Sequence, residues 1–334
     1  MQNRFSTAVF VFAFFFGTVS AGAQQLDADF FRGKTVTYVV SSAAGGGYDT
    51  YGRLVSRHMS KYMPGTRFVV RNVPGAGNIV GANTIYTSRP DGLTMGTFVT
   101  GLIYAQLLEQ EGVRFDLAKM SWIGRVAEEG RSLVLSSNSE FKSAQDLLNA
   151  DRPILISTAG IGATNHIETR VLAYALGLDV KLVPNMQTAE ALMSMVRGEV
   201  DGVLGSDSSY DNFTHQGSGK YVLTITGARS DIPGVPQARE FIVHDEVRPI
   251  FAFIERMAGL GRIQVGPPGI PPARLAALRD AFNKAVTDPE FLAEAEMLKL
   301  PVAPGTGEEV EESVRTLLDQ TPETIALLRR IAVD

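Results

Sequence analysis

Short apolar runs of strand length alternate along this chain with segments of helical period, and twice the passage from strand to helix runs through a turn of small residues and glycine. That alternation restricts the chain to α/β architectures, in which a parallel sheet is covered by helices on both faces. A first round places strands at residues 35–40, 68–73 and 94–99, with helices at 49–62 and 78–88. A second round has strands at 133–136, 153–157, 179–183, 201–204 and 221–226, and helices at 143–148, 165–176 and 188–197. The tail adds a strand at 262–265 and helices near 272–287, 289–297, 308–318 and 321–331. In a chain of 334 residues the two rounds make two domains the first expectation. Crossings between them are expected near residues 125–131 and within 232–266, and two crossings make a hinge.

The N-terminus reads as a secretion leader. Arg4 precedes an apolar run over residues 8–16, and Ala21-Gly22-Ala23 supplies the small residues of a cleavage site, so cleavage is expected after Ala23. The run is well short of the ~20 residues a membrane-spanning helix needs, which leaves a short anchor as the lesser reading. With no cysteine in the chain, a lipidated N-terminus, disulfides, thiolate metal ligands and a cysteine nucleophile are all excluded. The net charge of −5, without a basic stripe, argues against a nucleic-acid partner. The histidines His58, His166, His215 and His244 form no HxH or HxxxH pair, so neither a metal site nor a catalytic set is expected. His166, one helical step beyond a glycine turn, could approach a ligand, although a packed, satisfied histidine is the commoner role at such a place.

The first glycine turn, Ser41-Ser42-Ala43-Ala44-Gly45-Gly46-Gly47-Tyr48-Asp49, joins a strand end to a helix start, with Asp49 expected as the helix cap. Without Cβ atoms in the way, backbone amides there can approach an anion, which the helix dipole also favours. The same residues would serve equally to shape a tight turn. No Gly-Lys-Ser/Thr follows, so this is not a Walker loop. The second turn, Ser157-Thr158-Ala159-Gly160-Ile161-Gly162-Ala163-Thr164-Asn165, repeats the arrangement in the second round, and two such helix starts facing one another would clamp an anion from both sides. Ser206-Asp207-Ser208-Ser209-Tyr210 ends another strand, where ligands of open α/β sheets sit. The stretch Pro74-Gly75-Ala76-Gly77-Asn78-Ile79-Val80-Gly81 has the spacing GxGxxxG and lacks the later acidic residue of a dinucleotide site, so it reads as a packed turn.

Together these segments resemble the extracytoplasmic solute receptors of the tripartite tricarboxylate transporters, the Bug family. The resemblance rests on Ala44-Gly45-Gly46-Gly47-Tyr48-Asp49, Asn72-Val73-Pro74-Gly75-Ala76-Gly77, Arg89-Pro90-Asp91-Gly92-Leu93-Thr94, Gly227-Ala228-Arg229 with Pro233-Gly234-Val235-Pro236, and Pro267-Pro268-Gly269-Ile270-Pro271 leading to Thr287-Asp288-Pro289-Glu290-Phe291. It implies a type II periplasmic binding protein, a Venus flytrap of two α/β lobes joined by two crossing segments. The expected layout is a leader at 1–23, a first lobe of 24–127 plus 255–334, and a second lobe of 128–254. The family holds its carboxylate mainly through main-chain groups and ordered waters at the two glycine turns. The ligand is therefore expected at Ser42, Ala43, Ala44, Gly45, Gly46, Gly47, Tyr48, Asp49, Thr100, Gly160, Gly162, Ala163, Thr164, Asn165 and Asp207. The chain departs from the family at Ser41-Ser42, where Pro-Phe is common, at Asn185-Met186, where Tyr-Lys is usual, and at Asn78, where glycine is common.

The reading that follows is a monomeric periplasmic receptor, not an enzyme and without cofactor. It would capture a mono- or dicarboxylate, aromatic ones included, for the membrane permease of such a transporter. Two rivals stay open on the sequence: a periplasmic enzyme using the 75–81 turn for a nucleotide, and a ligand sensor serving a signalling partner.

Overall fold

The computed structural model describes residues 27–226 and 234–332. The leader expected at 1–23, the Gly227-Ala228-Arg229 motif and Pro233 lie outside these residues.

In chain order the first half gives β1 (Thr35–Val40), α1 (Gly47–Tyr62), β2 (Arg67–Asn72), α2 (Ile79–Tyr86), β3 (Thr94–Thr97), α3 (Leu102–Leu107) and β4 (Ser121–Arg125). The chain then builds β5 (Arg131–Ser136), α4 (Ala144–Leu148), β6 (Ile154–Ser157), α5 (Thr164–Leu176), β7 (Val180–Val183), α6 (Thr188–Arg197), β8 (Gly202–Ser206), α7 (Asp211–His215) and β9 (Gly219–Thr224). It returns through α8 (Arg248–Ala258) to β10 (Ile263–Gly266), and ends with α9 (Pro272–Val286), α10 (Pro289–Met297), β11 (Gly305–Thr306), α11 (Gly307–Leu318) and α12 (Pro322–Ala332).

Two sheets result, in the orders β11-β4-β10-β3-β1-β2 and β7-β6-β8-β5-β9. Both are mixed, not wholly parallel as the alternation suggests. β1 runs parallel to β2 and β3, and β6 parallel to β7 and β8, because a helix returns the chain between them. The strands next to the crossings, β10 and β5, lie antiparallel to their neighbours, since the chain enters those sheets from the other lobe.

Local chemistry sets the helix ends that matter here. α1 turns Tyr51, Leu54, Val55, His58 and Met59 to one buried face, at the spacing of an amphipathic helix. α5 and α6 stop at Gly177 and Gly198, both left-handed, a conformation that favours glycine. α11 opens with a capping box between Thr306 and Glu309.

The two crossing segments, residues 126–130 and 259–262, are hydrogen bonded to each other. The Val126 amide donates to the Arg262 carbonyl at 3.0 Å, and the Arg262 amide to the Ala127 carbonyl at 2.9 Å. Gly261 is needed for this approach: its φ is +43° and a Cβ would meet the Ala127 oxygen at 1.8 Å. One apolar cluster runs through both lobes and includes Val39, Phe98 and Trp122, Leu133, Ile156 and Leu204, Phe253 of α8 and Leu328 of α12. α12 is also tied to α5, where Arg170 Nε donates to the Ile331 carbonyl at 2.7 Å.

Candidate functional site

Strand ends of both sheets face one cavity of about 260 Å³. Residues following β1, β3 and β6 line it, together with the end of β8, which is where α/β sheets hold ligands.

From the first lobe come Ser42, Ala43, Ala44, Gly45, Gly46, Gly47, Tyr48 and Thr100; from the second, Ala163, Thr164 and Asn165. These expected residues, including both helix starts, therefore border the same space. The first-turn amides of α1 and α5 have no partner within their helices, so each start offers donors together with the positive end of its dipole. Gly47 is required by packing: a Cβ would meet Arg262 Nη2 at 2.7 Å and Ser209 Oγ at 3.2 Å.

Asp49, Gly160, Gly162 and Asp207 do not line the cavity. Asp49 is not the helix cap either, because α1 begins at Gly47 with Gly46 in the cap position. From the third position of the helix its carboxylate reaches back to accept from the Gly45 amide at 2.9 Å and from Asn72 Nδ2 at 3.0 Å, and it takes Arg53 Nε at 3.1 Å. It thus braces the loop that carries the amides. Burial pushes the Asp49 carboxyl up, but Arg53, the Gly45 amide and Asn72 outweigh it and hold the group below its ordinary value of 3.8. Gly160 and Gly162 have φ of +154° and +76° and shape the second turn, which Asn165 Oδ1 ties by accepting from the Ala159 amide at 3.1 Å. Asp207 is buried beside the hinge, its amide donating to the Gly130 carbonyl at 3.0 Å. His166 is packed and stands outside the cavity, its Nδ1 3.3 Å from Thr158 Oγ1.

The lobes touch around this space. A Cβ at Gly101 would fall 1.9 Å from Thr164 Oγ1, one at Gly162 2.1 Å from Gln110 Nε2, and one at Gly77 3.5 Å from Ala163 Cα. The 75–81 turn is a packed turn: a Cβ at Gly81 would lie 2.5 Å from Ser41 Cα. Asn78, where the family commonly has glycine, has φ +80°, and asparagine tolerates that left-handed conformation better than most residues.

Arg131 was not expected and lines the cavity. It starts β5, paired in register with Ser206 of β8. Its Nε donates to Glu168 Oε2 at 2.8 Å, Nη2 donates to the same oxygen, and Nη1 donates to Ser206 Oγ at 2.9 Å. The Glu168 side chain is wholly buried while that of Arg131 is 12% exposed, so the pair presents its cation to the cavity. Tyr210 closes the same end, and burial pushes its phenol up to about 12, which keeps its hydroxyl protonated. Deeper in the hinge, Arg262 is fully buried. Its Nε donates to Glu129 Oε1 at 2.8 Å, and its guanidinium sits 3.9 Å from the centre of the Tyr48 ring, backing that wall. Among the described residues, no group of three or more acidic or histidine side chains could hold a metal ion, and no helix is long and apolar enough to cross a membrane.

Two α/β lobes on paired crossing segments, enclosing a small cavity between two helix starts, define a two-lobed solute-binding receptor. Residues 52–308 match the tripartite tricarboxylate transporter family receptor, and the chain belongs to that family, a family of receptors and not of enzymes. A UPF0065 protein from the tcbD-tcbE intergenic region of Pseudomonas sp. (strain P51) is 27% identical over 308 residues, 87% of this chain and 84% of its own. The fold is shared with the periplasmic binding protein BugD, at a TM-score of 0.74 and 22% identity over 90% of this chain and 98% of that one. It is shared with MatC of Rhodopseudomonas palustris with bound malate, at 0.69 and 22% over 86% and 98% of the two chains. An R. palustris protein with adipate gives 0.73 and 19% over 90% and 98%.

Proposed function

We propose that this receptor binds a small carboxylate in the interlobe cavity and delivers it, unchanged, to membrane permease subunits of a tripartite tricarboxylate transporter. One observation carries the reading: two helix starts rich in small residues, one from each lobe, border a single cavity whose only formally charged lining residue among the described ones is an arginine. One carboxylate would sit against the amides of Gly46, Gly47 and Tyr48 and those of Thr164 and Asn165, since the Gly45 and Ala163 amides already donate to Asp49 and to the Gly160 carbonyl. Hydrogen bonds to a charged group contribute about 1.5–3 kcal/mol each, so a few of them, net of ordering costs, support binding in the micromolar range. The malate and adipate held by two proteins of the same fold support a carboxylate as the solute. The lobes would open and close about segments 126–130 and 259–262, and closure would present the surface the permease reads. We place the protein in the periplasm, exported through a leader cleaved after Ala23.

The test is calorimetric titration of ligand-stripped protein with mono- and dicarboxylates, their carboxamide analogues and NAD. Micromolar binding of at least one carboxylate, lost at least a hundredfold in its carboxamide, is expected. Binding of NAD without any carboxylate would overturn the proposal.

A further inference from the structure

Given a carboxylate at the helix starts, as proposed above, we infer that Arg131 anchors a second acidic group on the ligand and makes the receptor selective for dicarboxylates over monocarboxylates. Among the described lining residues Arg131 alone carries a formal charge, and no carboxylate lines the cavity to neutralise it from the ligand side. A guanidinium has five N–H donors. Glu168 takes two and Ser206 one, leaving one on each Nη, the number a carboxylate accepts from an arginine fork. Glu168 and Ser206 grip the group from behind, so its orientation is fixed before any ligand arrives.

Position supports the same assignment. Glu168 lies four residues beyond Thr164 on α5, a rise of ~6 Å along the helix, so its arginine partner sits about one turn deeper than the amides of the helix start. A chain of a few carbons spans that separation. A pair serving stability alone would be sealed on both sides, whereas here the acid is sealed and the base meets the cavity.

The experiment titrates wild type with two matched pairs, succinate against butyrate and adipate against hexanoate. It then repeats them with the double variant Arg131→Met/Glu168→Met, which removes both charges and strands neither. In wild type the diacid of at least one pair is expected to bind tenfold or more tighter than its monoacid. In the double variant diacid affinity is expected to fall at least tenfold more than the affinity for the matched monoacid, so that the preference within each pair is lost. Equal affinities within each pair in wild type, or a diacid preference that survives in the variant, overturn the inference and leave the carboxylate proposal standing. Failure of every carboxylate to bind overturns both. If the double variant does not fold, wild type decides by pH. The diacid preference must shrink as pH falls through the step that turns the dianion into a monoanion, which the like charge of the other carboxylate sets above the neutralisation of the monoacid, and a preference indifferent to that step contradicts a role for Arg131.

Discussion

Replacing Asp49 with alanine tests whether the loop of amides is braced from behind. The carboxylate is buried and accepts from the Gly45 amide, Asn72 Nδ2 and Arg53 Nε. Removing it takes one acceptor from the Gly45 amide and one from Asn72, whose Nδ2 keeps its bond to the Ser42 carbonyl, at about 1 kcal/mol for each lost bond. It also removes a negative charge from the first turn of α1, at about 0.3–1 kcal/mol. Arg53 is 49% exposed, so its ion pair is screened and adds little. The expected loss is about 2–3 kcal/mol, which for a chain of this size lowers the melting temperature by about 3–5 °C. Because the brace holds the loop that lines the cavity, carboxylate affinity is expected to fall about tenfold. Asp49→Asn keeps an acceptor for Gly45 and should recover part of both losses. Differential scanning calorimetry and titration calorimetry measure the two effects. An Asp49→Ala variant with melting temperature within about 1 °C of wild type and unchanged affinity would refute the reasoning.

Three further outcomes are expected. Gly101→Ala, at a position whose φ is an ordinary −64°, puts a methyl 1.9 Å from Thr164 Oγ1, so it should hold the lobes apart, weaken binding at least tenfold and abolish any compaction on ligand addition in small-angle scattering. Arg262→Met leaves Glu129 buried without its partner and should cost about 3–5 kcal/mol in urea denaturation. The Asp49 carboxyl is held below 3.8, so its contribution is fully present above pH ~4 and is lost as pH falls through its folded value; the melting temperatures of wild type and Asp49→Ala should therefore converge at low pH.

Much of this architecture is legible in the sequence because periodicity is local. β1, with its β-branched run, and the C-terminal helices, with prolines in their first turns at α9 and α10, fall within a residue or two of where the pattern places them. Strand direction is not written in periodicity, and so the antiparallel placement of β5 and β10 is not legible. β4 escapes because Ser121-Trp122-Ile123-Gly124-Arg125 owes its conformation to distant partners: a Cβ at Gly124 would meet Phe282 Cε1 at 2.1 Å. α8 did carry a signal, Pro249 at its start and a stripe of Ile250, Phe253, Ile254 and Met257.

The site divides in the same way. The helix starts are visible as small residues between a strand and a helix. Asp49 is misplaced by the cap rule because glycine also fills a cap and an acid in the first turn can reach back to the loop. Arg131 is invisible, since what makes it notable, Glu168 and Ser206, lies 37 and 75 residues away. A lone glutamate buried among the apolar residues of α5 is the one clue the sequence offered.

A crystal structure of the protein grown with a carboxylate that titrates in solution would bear most directly on the account. Carboxylate oxygens within hydrogen-bonding distance of main-chain amides from both 46–48 and 164–165 are expected. A ligand bound outside the interlobe cavity, or touching only one of the two helix starts, would contradict it.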